Sequence, residues 1–117
     1  MELNEYQEKA MGTCLPSCEN MVYMLNGLTA EVGEINDKVA KWVRKGIAQI
    51  NGNQLEFNVP NCEEHRQELI KEVGDCAWFI AGLSMILGAS LEEVCKTNLY
   101  KLAERKMNGT IITHKDH

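Results

Sequence analysis

A short acidic phrase occurs twice in the chain and limits how the chain can fold. It reads Glu-Val-Gly-Glu at residues 31–34 and Glu-Val-Gly-Asp at residues 72–75. Both copies lie in segments with helical periodicity, so the two acids of each copy, three residues apart, project from nearly the same side of a helix. If the two helices pack together, four carboxylates converge. Because like charges repel at that range, the repeat predicts a cation among them.

The alternative is a solvated acidic surface, which is where most Glu and Asp residues lie. Two observations favour a metal site instead. Apolar residues flank each pair, and each pair encloses a mid-helix glycine, which costs about 1 kcal/mol relative to Ala and lets a backbone or a ligand approach closely. A set made only of carboxylates suits Mg²⁺ or Mn²⁺ better than iron or zinc. The predicted metal ligands are Glu31, Glu34, Glu72 and Asp75.

Composition narrows the class of protein. The chain has 117 residues, of which 44% are hydrophobic, and a net charge of −5. This length supports one domain with a modest core, and the acidic balance argues against a general nucleic-acid binder. No apolar stretch reaches the ~20 residues that span a bilayer, and the N-terminus lacks the regions of a signal peptide. We therefore expect a cytoplasmic protein without a membrane partner.

The five cysteines leave one alternative metal site open. Their odd number, without an export signal, makes a disulfide framework an unsuitable interpretation. Cys14 and Cys18 are four residues apart, and Cys62 precedes His65 by three. Together they could offer three sulfurs and an imidazole to zinc, although the spacing matches no standard zinc finger.

Local signals predict four helices, at residues 3–11, about 20–45, about 62–87 and 90–106. Asn4 and Gln7 have the spacing of a capping box for the first helix. Gly46 is placed to end the second, and Ser90 with Glu93 forms a capping box for the last. These features predict an all-α protein, a four- to five-helix bundle.

Between the two long helices the helical pattern breaks. Asn-Gly at residues 51–52 separates two short alternating runs, which is the strongest local signal for a β-hairpin. We expect a hairpin or an ordered loop at about 47–60. Residues 1–107 are predicted to form a single helical domain, and residues 108–117 a flexible C-terminal tail.

Two basic residues and two tryptophans continue the acidic faces. Lys38, Lys41 and Trp42 follow the first acidic pair, and Trp78 lies three residues beyond the second. The lysines are interpreted as phosphate contacts or as a solvated surface. The tryptophans are interpreted as stacking on a nucleobase or as core packing, which is at least as frequent.

The last helix carries a third set of polar residues. Asn98 interrupts its apolar stripe, and Lys101 and Arg105 lie on an adjoining face. The three could line a pocket for an anion. The alternative is a buried amide that bonds to the backbone, beside two exposed cations.

Four segments in this order resemble the MazG-type nucleoside triphosphate pyrophosphohydrolases. They are residues 3–7, residues 27–34 around the first acidic pair, residues 72–80 around the second, and residues 98–106, which read Asn-Leu-Tyr-Lys-Leu-Ala-Glu-Arg-Lys. The resemblance covers most of the chain outside the 47–61 insert and the tail. Ala30 stands where many members have a further Glu.

The resemblance implies a MazG-like helical fold and hydrolysis of a nucleoside triphosphate to the monophosphate and pyrophosphate, with Mg²⁺ or Mn²⁺ as cofactor. It implies that Glu31 and Glu34 act in catalysis, and it leaves open whether Glu34 holds a metal or orients the attacking water. It also implies a homodimer or a homotetramer built as a dimer of dimers. The substrate-binding residues implied are Lys38, Lys41, Trp42, Trp78, Asn98, Lys101 and Arg105.

Two other functions remain compatible with the sequence. Related helical bundles hydrolyse phosphoribosyl-ATP, dUTP or dCTP, and one sequence does not give the shape of the base pocket. A helical interaction or metal-storage module without catalysis would bind metal or oligomerise and show no turnover.

Overall fold

The computed structural model describes residues 1–109 and confirms an all-α fold with an inserted hairpin. Four α-helices and one two-stranded sheet follow each other along the chain, with a single 3₁₀ turn at Pro16–Cys18. The elements are α1 (Leu3–Met11), α2 (Met21–Arg44), β1 (Ala48–Asn51), β2 (Gln54–Phe57), α3 (Glu63–Ile86) and α4 (Leu91–Met107). Most of the tail predicted at 108–117 lies outside the described residues.

The ends of α2 follow from local chemistry. The Asn20 side chain accepts a hydrogen bond of 2.7 Å from the Tyr23 backbone N–H, which satisfies one of the unpaired donors at a helix start. Gly46 lies just beyond the helix with φ of +76°, a conformation that glycine adopts without the steric penalty of a Cβ. The helix between them has 24 residues and is therefore about 36 Å long.

α2 and α3 pack antiparallel and form the centre of the fold. At one end of their interface, Gly27 of α2 faces the Phe79 ring and Gly82 of α3 faces the Met24 side chain, so tightly that a Cβ at either glycine would overlap its neighbour. Met24 is fully buried, and among the described residues it is the only large side chain buried to that degree. Close approach of the two backbones therefore depends on Gly27 and Gly82.

The two glycines inside the acidic phrases do not have this role. A Cβ added at Gly33 or Gly74 would meet no atom within 4 Å. The expectation that these glycines admit a neighbouring backbone is wrong, because both face away from the α2–α3 contact.

The hairpin packs against the end of α2. Its strands pair antiparallel, with Ala48 opposite Phe57, and Gly52 occupies the first position of the two-residue loop with φ of +64°. Both common two-residue hairpin turns require positive φ at that position, which explains the glycine. Ala48 is buried and Phe57 lies 5.6 Å from Trp42, ring centre to ring centre.

Two side chains of α1 cap the start of α4, so the capping box predicted for α1 is wrong. The Gln7 side chain accepts from the Leu91 N–H at 2.9 Å, and its amide donates to the Ala89 and Ala81 carbonyls. The Asn4 side chain accepts from the Glu92 N–H at 3.0 Å. At the start of α1 itself, the Glu5 carboxylate accepts from the Glu2 N–H. Asn4 and Gln7 have the predicted spacing, but their side chains accept hydrogen bonds from the start of α4 instead of from α1.

α4 begins at the predicted cap and then extends away from α3. The Ser90 hydroxyl accepts from the Glu93 N–H at 3.1 Å, and α4 is bent by 95° from α3. Asn98 is exposed, so the alternative of a buried amide bonded to backbone is wrong. Within residues 1–109 no single helix has the length and apolar character to cross a membrane; the bent pair of α3 and α4 meets those two criteria only when taken together.

Candidate active site

Three carboxylates converge where α2 crosses α3. Glu31 from α2 and Glu72 and Asp75 from α3 each offer an oxygen within 4.8 Å of the others. Glu31 and Glu72 are partly buried, whereas Asp75 is exposed on the open side. The antiparallel packing of the two helices brings the two acidic phrases together, as the repeat predicts.

Two oxygens of this cluster have no hydrogen-bond donor. Oε2 of Glu31 and Oε2 of Glu72 are buried and have no partner among residues 1–109. Burial first, and then the charges of Glu34, Asp75 and Glu72, raise the pKa of Glu31 above its ordinary value of 4.5. A buried anionic oxygen without a partner is costly. A hard divalent cation would satisfy both oxygens, so these residues fit Mg²⁺ or Mn²⁺.

Other groups nearby also sense the negative charge of the cluster. Burial first, and then the charges of Glu31, Asp75 and Glu72, raise the pKa of the Cys76 thiol. Burial and the charge of Asp75 raise the pKa of Tyr6. The cluster therefore lies in a region of negative potential that favours cation binding.

Glu34 lies at the edge of this arrangement. Its side chain is exposed, and its oxygens are not part of the group of three described above. After burial, however, its charge is the largest cause of the raised pKa of Glu31. Of the four predicted metal ligands, the structure thus brings three together and leaves the fourth beside them.

A cavity of about 320 Å³ opens next to the carboxylates. It is lined by Glu31, Asp75 and three aromatic side chains, Tyr23, Trp78 and Phe79. The Trp78 indole N–H donates to the Ala10 carbonyl at 3.1 Å and to the Thr13 hydroxyl at 3.0 Å. These bonds orient the indole, so that one wall of the cavity is fixed by the end of α1.

Tyr23 and Phe79 are the two lining residues that sequence reasoning missed. The ring centre of Tyr23 lies 5.8 Å from that of Phe79. Tyr23 precedes Glu31 by eight residues, a little over two helical turns, which places it on an adjoining side of α2. That spacing could have identified it.

Trp42 is placed differently from Trp78. It is buried at the far end of the α2–α3 pair, in edge contact with His65 at 5.1 Å and near Phe57. It does not line the cavity. The core-packing alternative therefore describes Trp42, because its ring is enclosed by the hairpin and α3.

The predicted cations are spread over three locations. Lys38 reaches across to α3, with its Nζ 3.6 Å from Glu68 Oε2 and 3.9 Å from Glu72 Oε1. Lys41 is exposed and pairs with Asp37 at 2.9 Å. Asn98 and Lys101 are exposed on α4 and Arg105 is half-buried there; none of the three lines the cavity.

The zinc alternative is wrong in this fold. Cys18 interacts with Tyr23 near the start of α2, whereas His65 contacts Trp42 near its end. These two positions on α2 are 19 residues apart, which is about 28 Å along the helix. A zinc ion binds ligands at about 2 Å and cannot bridge that separation.

Comparison with known proteins identifies the family of the chain. The sequence profile described as the MazG nucleotide pyrophosphohydrolase domain matches residues 20–110. The chain belongs to the MazG family. The matched region contains both acidic phrases and the Asn98–Lys106 segment of this MazG chain.

A relative in the same size range is also found. The chain is similar to the Gene 37 protein of Mycobacterium phage L5, with 33% identity over 118 residues that cover 95% of this chain and 94% of the relative. No solved structure matches the chain.

Proposed function

We propose that this MazG protein is a Mg²⁺-dependent nucleoside triphosphate pyrophosphohydrolase. The observation that carries the proposal is the convergence of Glu31, Glu72 and Asp75, with two buried unpartnered oxygens, beside a cavity with aromatic walls. In the reaction, a water oxygen attacks the α-phosphorus and the bond to the α–β bridging oxygen breaks. The products are the monophosphate and pyrophosphate.

Each residue has a defined task in this proposal. Glu31, Glu72 and Asp75 hold the metal, with Mn²⁺ as an alternative ion. When bound, such a metal neutralises phosphate charge and lowers the pKa of a coordinated water. Glu34, exposed at the edge of the cluster, orients the attacking water and accepts its proton. Tyr23 and Trp78 line the cavity, where a base could stack on them.

We also propose that the protein acts as a homodimer or as a dimer of dimers. Val32 and Val73 each follow a cluster carboxylate by one residue, so each lies about 100° around its helix from that carboxylate. Because the helices are antiparallel, equal rotations place both valines on the same side of the pair, opposite the rim that carries Glu34. Val32 is 49% exposed and Val73 is 56% exposed.

This side of the α2–α3 pair is apolar over much of its length. Leu25 and Val43 on α2 and Ile70 on α3 are exposed there as well. Exposed apolar side chains on one side of a helix pair favour association, and a second copy of the chain could cover them with the same residues. Lys101 of α4, which is exposed and does not line the cavity of its own chain, could then face a neighbouring subunit.

The experiment that tests the activity is product analysis. Each ribo- and deoxyribonucleoside triphosphate, together with phosphoribosyl-ATP, is incubated with the protein in the presence of Mg²⁺ and, separately, of a chelator. We expect metal-dependent monophosphate and pyrophosphate, and the preferred substrate in this panel identifies the base and sugar. Asp75→Asn should remove turnover, while Asp37→Asn, a change of an exposed carboxylate on α2, should retain it.

Two results would contradict the proposal. Diphosphate with inorganic phosphate would mean that the β–γ bond is the one cleaved. Absence of turnover across the panel, with metal binding intact, would favour the non-catalytic metal-binding module.

The cytoplasm, where nucleoside triphosphates are made and used, is the compartment we propose.

A further inference from the structure

Lys38 lies between two carboxylates of α3 that are one helical turn apart. Its Nζ is 3.6 Å from Glu68 Oε2 and 3.9 Å from Glu72 Oε1. The two oxygens of Glu72 therefore have different surroundings, since Oε1 faces the ammonium whereas Oε2 is buried without a partner. Lys38 thus contacts a predicted metal ligand directly, from the helix that carries Glu31.

We propose that Lys38 and Glu68 are positioning residues for the metal ligand Glu72. Lys38 attracts one oxygen of the Glu72 carboxylate and so leaves Oε2 for the cation. Glu68 shares the ammonium and keeps it at the side of the carboxylate cluster, where it does not occupy the place of the metal. The inference rests on the proposed metal site, and it assigns Lys38 a task other than phosphate contact.

The exposure of these side chains indicates where the effect should be measured. The Lys38 and Glu68 side chains are 34% and 39% exposed, whereas that of Glu72 is 13% exposed. Ion pairs with this much solvent contact contribute about 0–1 kcal/mol to stability. The orientation of a metal ligand is worth more, since loss of an outer partner typically lowers metal affinity by about 10- to 100-fold. We therefore expect a change in metal affinity with little change in folding.

Electrostatics and positioning predict opposite signs for removal of Lys38. If the lysine acted only as a nearby positive charge, its removal would strengthen the binding of a divalent cation. If it orients Glu72, its removal weakens binding although a repelling charge has gone. If it contacts only substrate phosphates, metal affinity without nucleotide does not fall.

The test is a titration of Mn²⁺ into nucleotide-free protein, with free Mn²⁺ followed by electron paramagnetic resonance. We expect Lys38→Met to weaken binding by about 10-fold or more, and Lys38→Arg to recover part of the loss. Lys71→Met, which removes an exposed cation next to Glu72 in the chain, is the control and should not weaken binding. Circular dichroism of each metal-free variant confirms that the helices are retained.

Glu68 is tested through a double-mutant cycle. Glu68→Gln also removes a negative charge near the site, so the single variant alone does not isolate its effect through Lys38. It is therefore compared with the double variant that carries both Lys38→Met and Glu68→Gln. If Glu68 acts through Lys38, the double variant binds Mn²⁺ about as well as Lys38→Met alone. Additive losses would overturn the role of Glu68.

The outcomes separate this inference from the proposed function. Unchanged or tighter Mn²⁺ binding by Lys38→Met, with normal binding by the natural chain, would overturn the positioning role alone. If the natural chain binds no Mn²⁺, both the metal site and the inference fail.

Discussion

Two neighbouring parts of the α2–α3 interface differ in how completely their atoms are partnered. Around Met24 and Phe79, each large side chain fits over a glycine of the opposite helix, and the contact is complete within the chain. One to two helical turns away, Glu31 and Glu72 face each other with oxygens that nothing in the described chain satisfies. The first arrangement stabilises the fold by itself, whereas a bound cation would compensate the charges of the second. The candidate site therefore lies where buried charged oxygens are left without partners in the described chain.

Removal of a cluster carboxylate should have the largest effect. Glu72→Gln retains the shape of the side chain but removes the charge that would hold the metal. Since metal stabilisation of the transition state is worth several kcal/mol, we expect kcat to fall by at least about 100-fold. Steady-state kinetics at saturating Mg²⁺ measure this, with Asp37→Asn as the matched control. Retention of more than a tenth of the activity would contradict the assignment of Glu72.

The metal should offset the repulsion among the carboxylates. We expect Mg²⁺ at about 100 times its Kd to stabilise the natural chain by about 2.7 kcal/mol. Glu31→Gln should lose most of that gain but be more stable than the natural chain when both are metal-free. Thermal unfolding with Mg²⁺ and with chelator gives both differences. A metal-free Glu31→Gln protein less stable than the natural chain would argue against repulsion at this site.

The same cluster predicts a pH dependence with a definite sign. The pKa of Glu31 is higher in the folded protein than its ordinary value. At a pH between these two pKa values, the folded state therefore binds more protons than the unfolded state. Stability of the metal-free protein should therefore fall as pH rises from about 4.5 through the folded pKa. Because Mg²⁺ needs the ionised carboxylate, metal stabilisation should grow over the same range. Glu31→Gln should flatten both trends in unfolding curves recorded across pH.

The apolar end should be sensitive to added volume. A Cβ at Gly27 would overlap the Phe79 ring, which is itself buried. We expect Gly27→Ala to destabilise the fold by about 1–3 kcal/mol, because overpacking outweighs the gain in helix propensity. Chemical denaturation measures the difference. A neutral result would mean that Phe79 can move aside without cost.

The glycines of the acidic phrases should show the smallest effect, with the opposite sign. Gly33 and Gly74 have no atom within 4 Å of an added Cβ. Gly33→Ala and Gly74→Ala should each stabilise the helix by about 0.5–1 kcal/mol, since alanine loses less conformational freedom on folding. The same denaturation series tests them. Destabilisation of either would indicate that its surface is covered by another molecule.

Much of the fold could be predicted because its signals are local. The cap at Ser90, the glycine stop at Gly46 and the Asn-Gly hairpin signal at 51–52 act on backbone within a few residues. The cap and the stop are found as predicted, and the hairpin is found with its two-residue loop at Gly52 and Asn53. Asn4 and Gln7 show the limit of this reasoning. They have the spacing of a local cap, yet their side chains bond to backbone more than 70 residues away. Nothing in nine residues of sequence distinguishes the two uses.

The same distinction between local signals and long-range contacts applies to the candidate site. The pairing of acids on one side of each long helix could be predicted, since helical period alone sets that geometry. The positions of Glu34 outside the cluster, of Trp78 rather than Trp42 at the cavity, and of Tyr23 beside it follow from how the helices pack. These outcomes depend on how α2 is rotated and offset against α3, which the close approach at Gly27 and Gly82 restricts and which no local sequence signal reports.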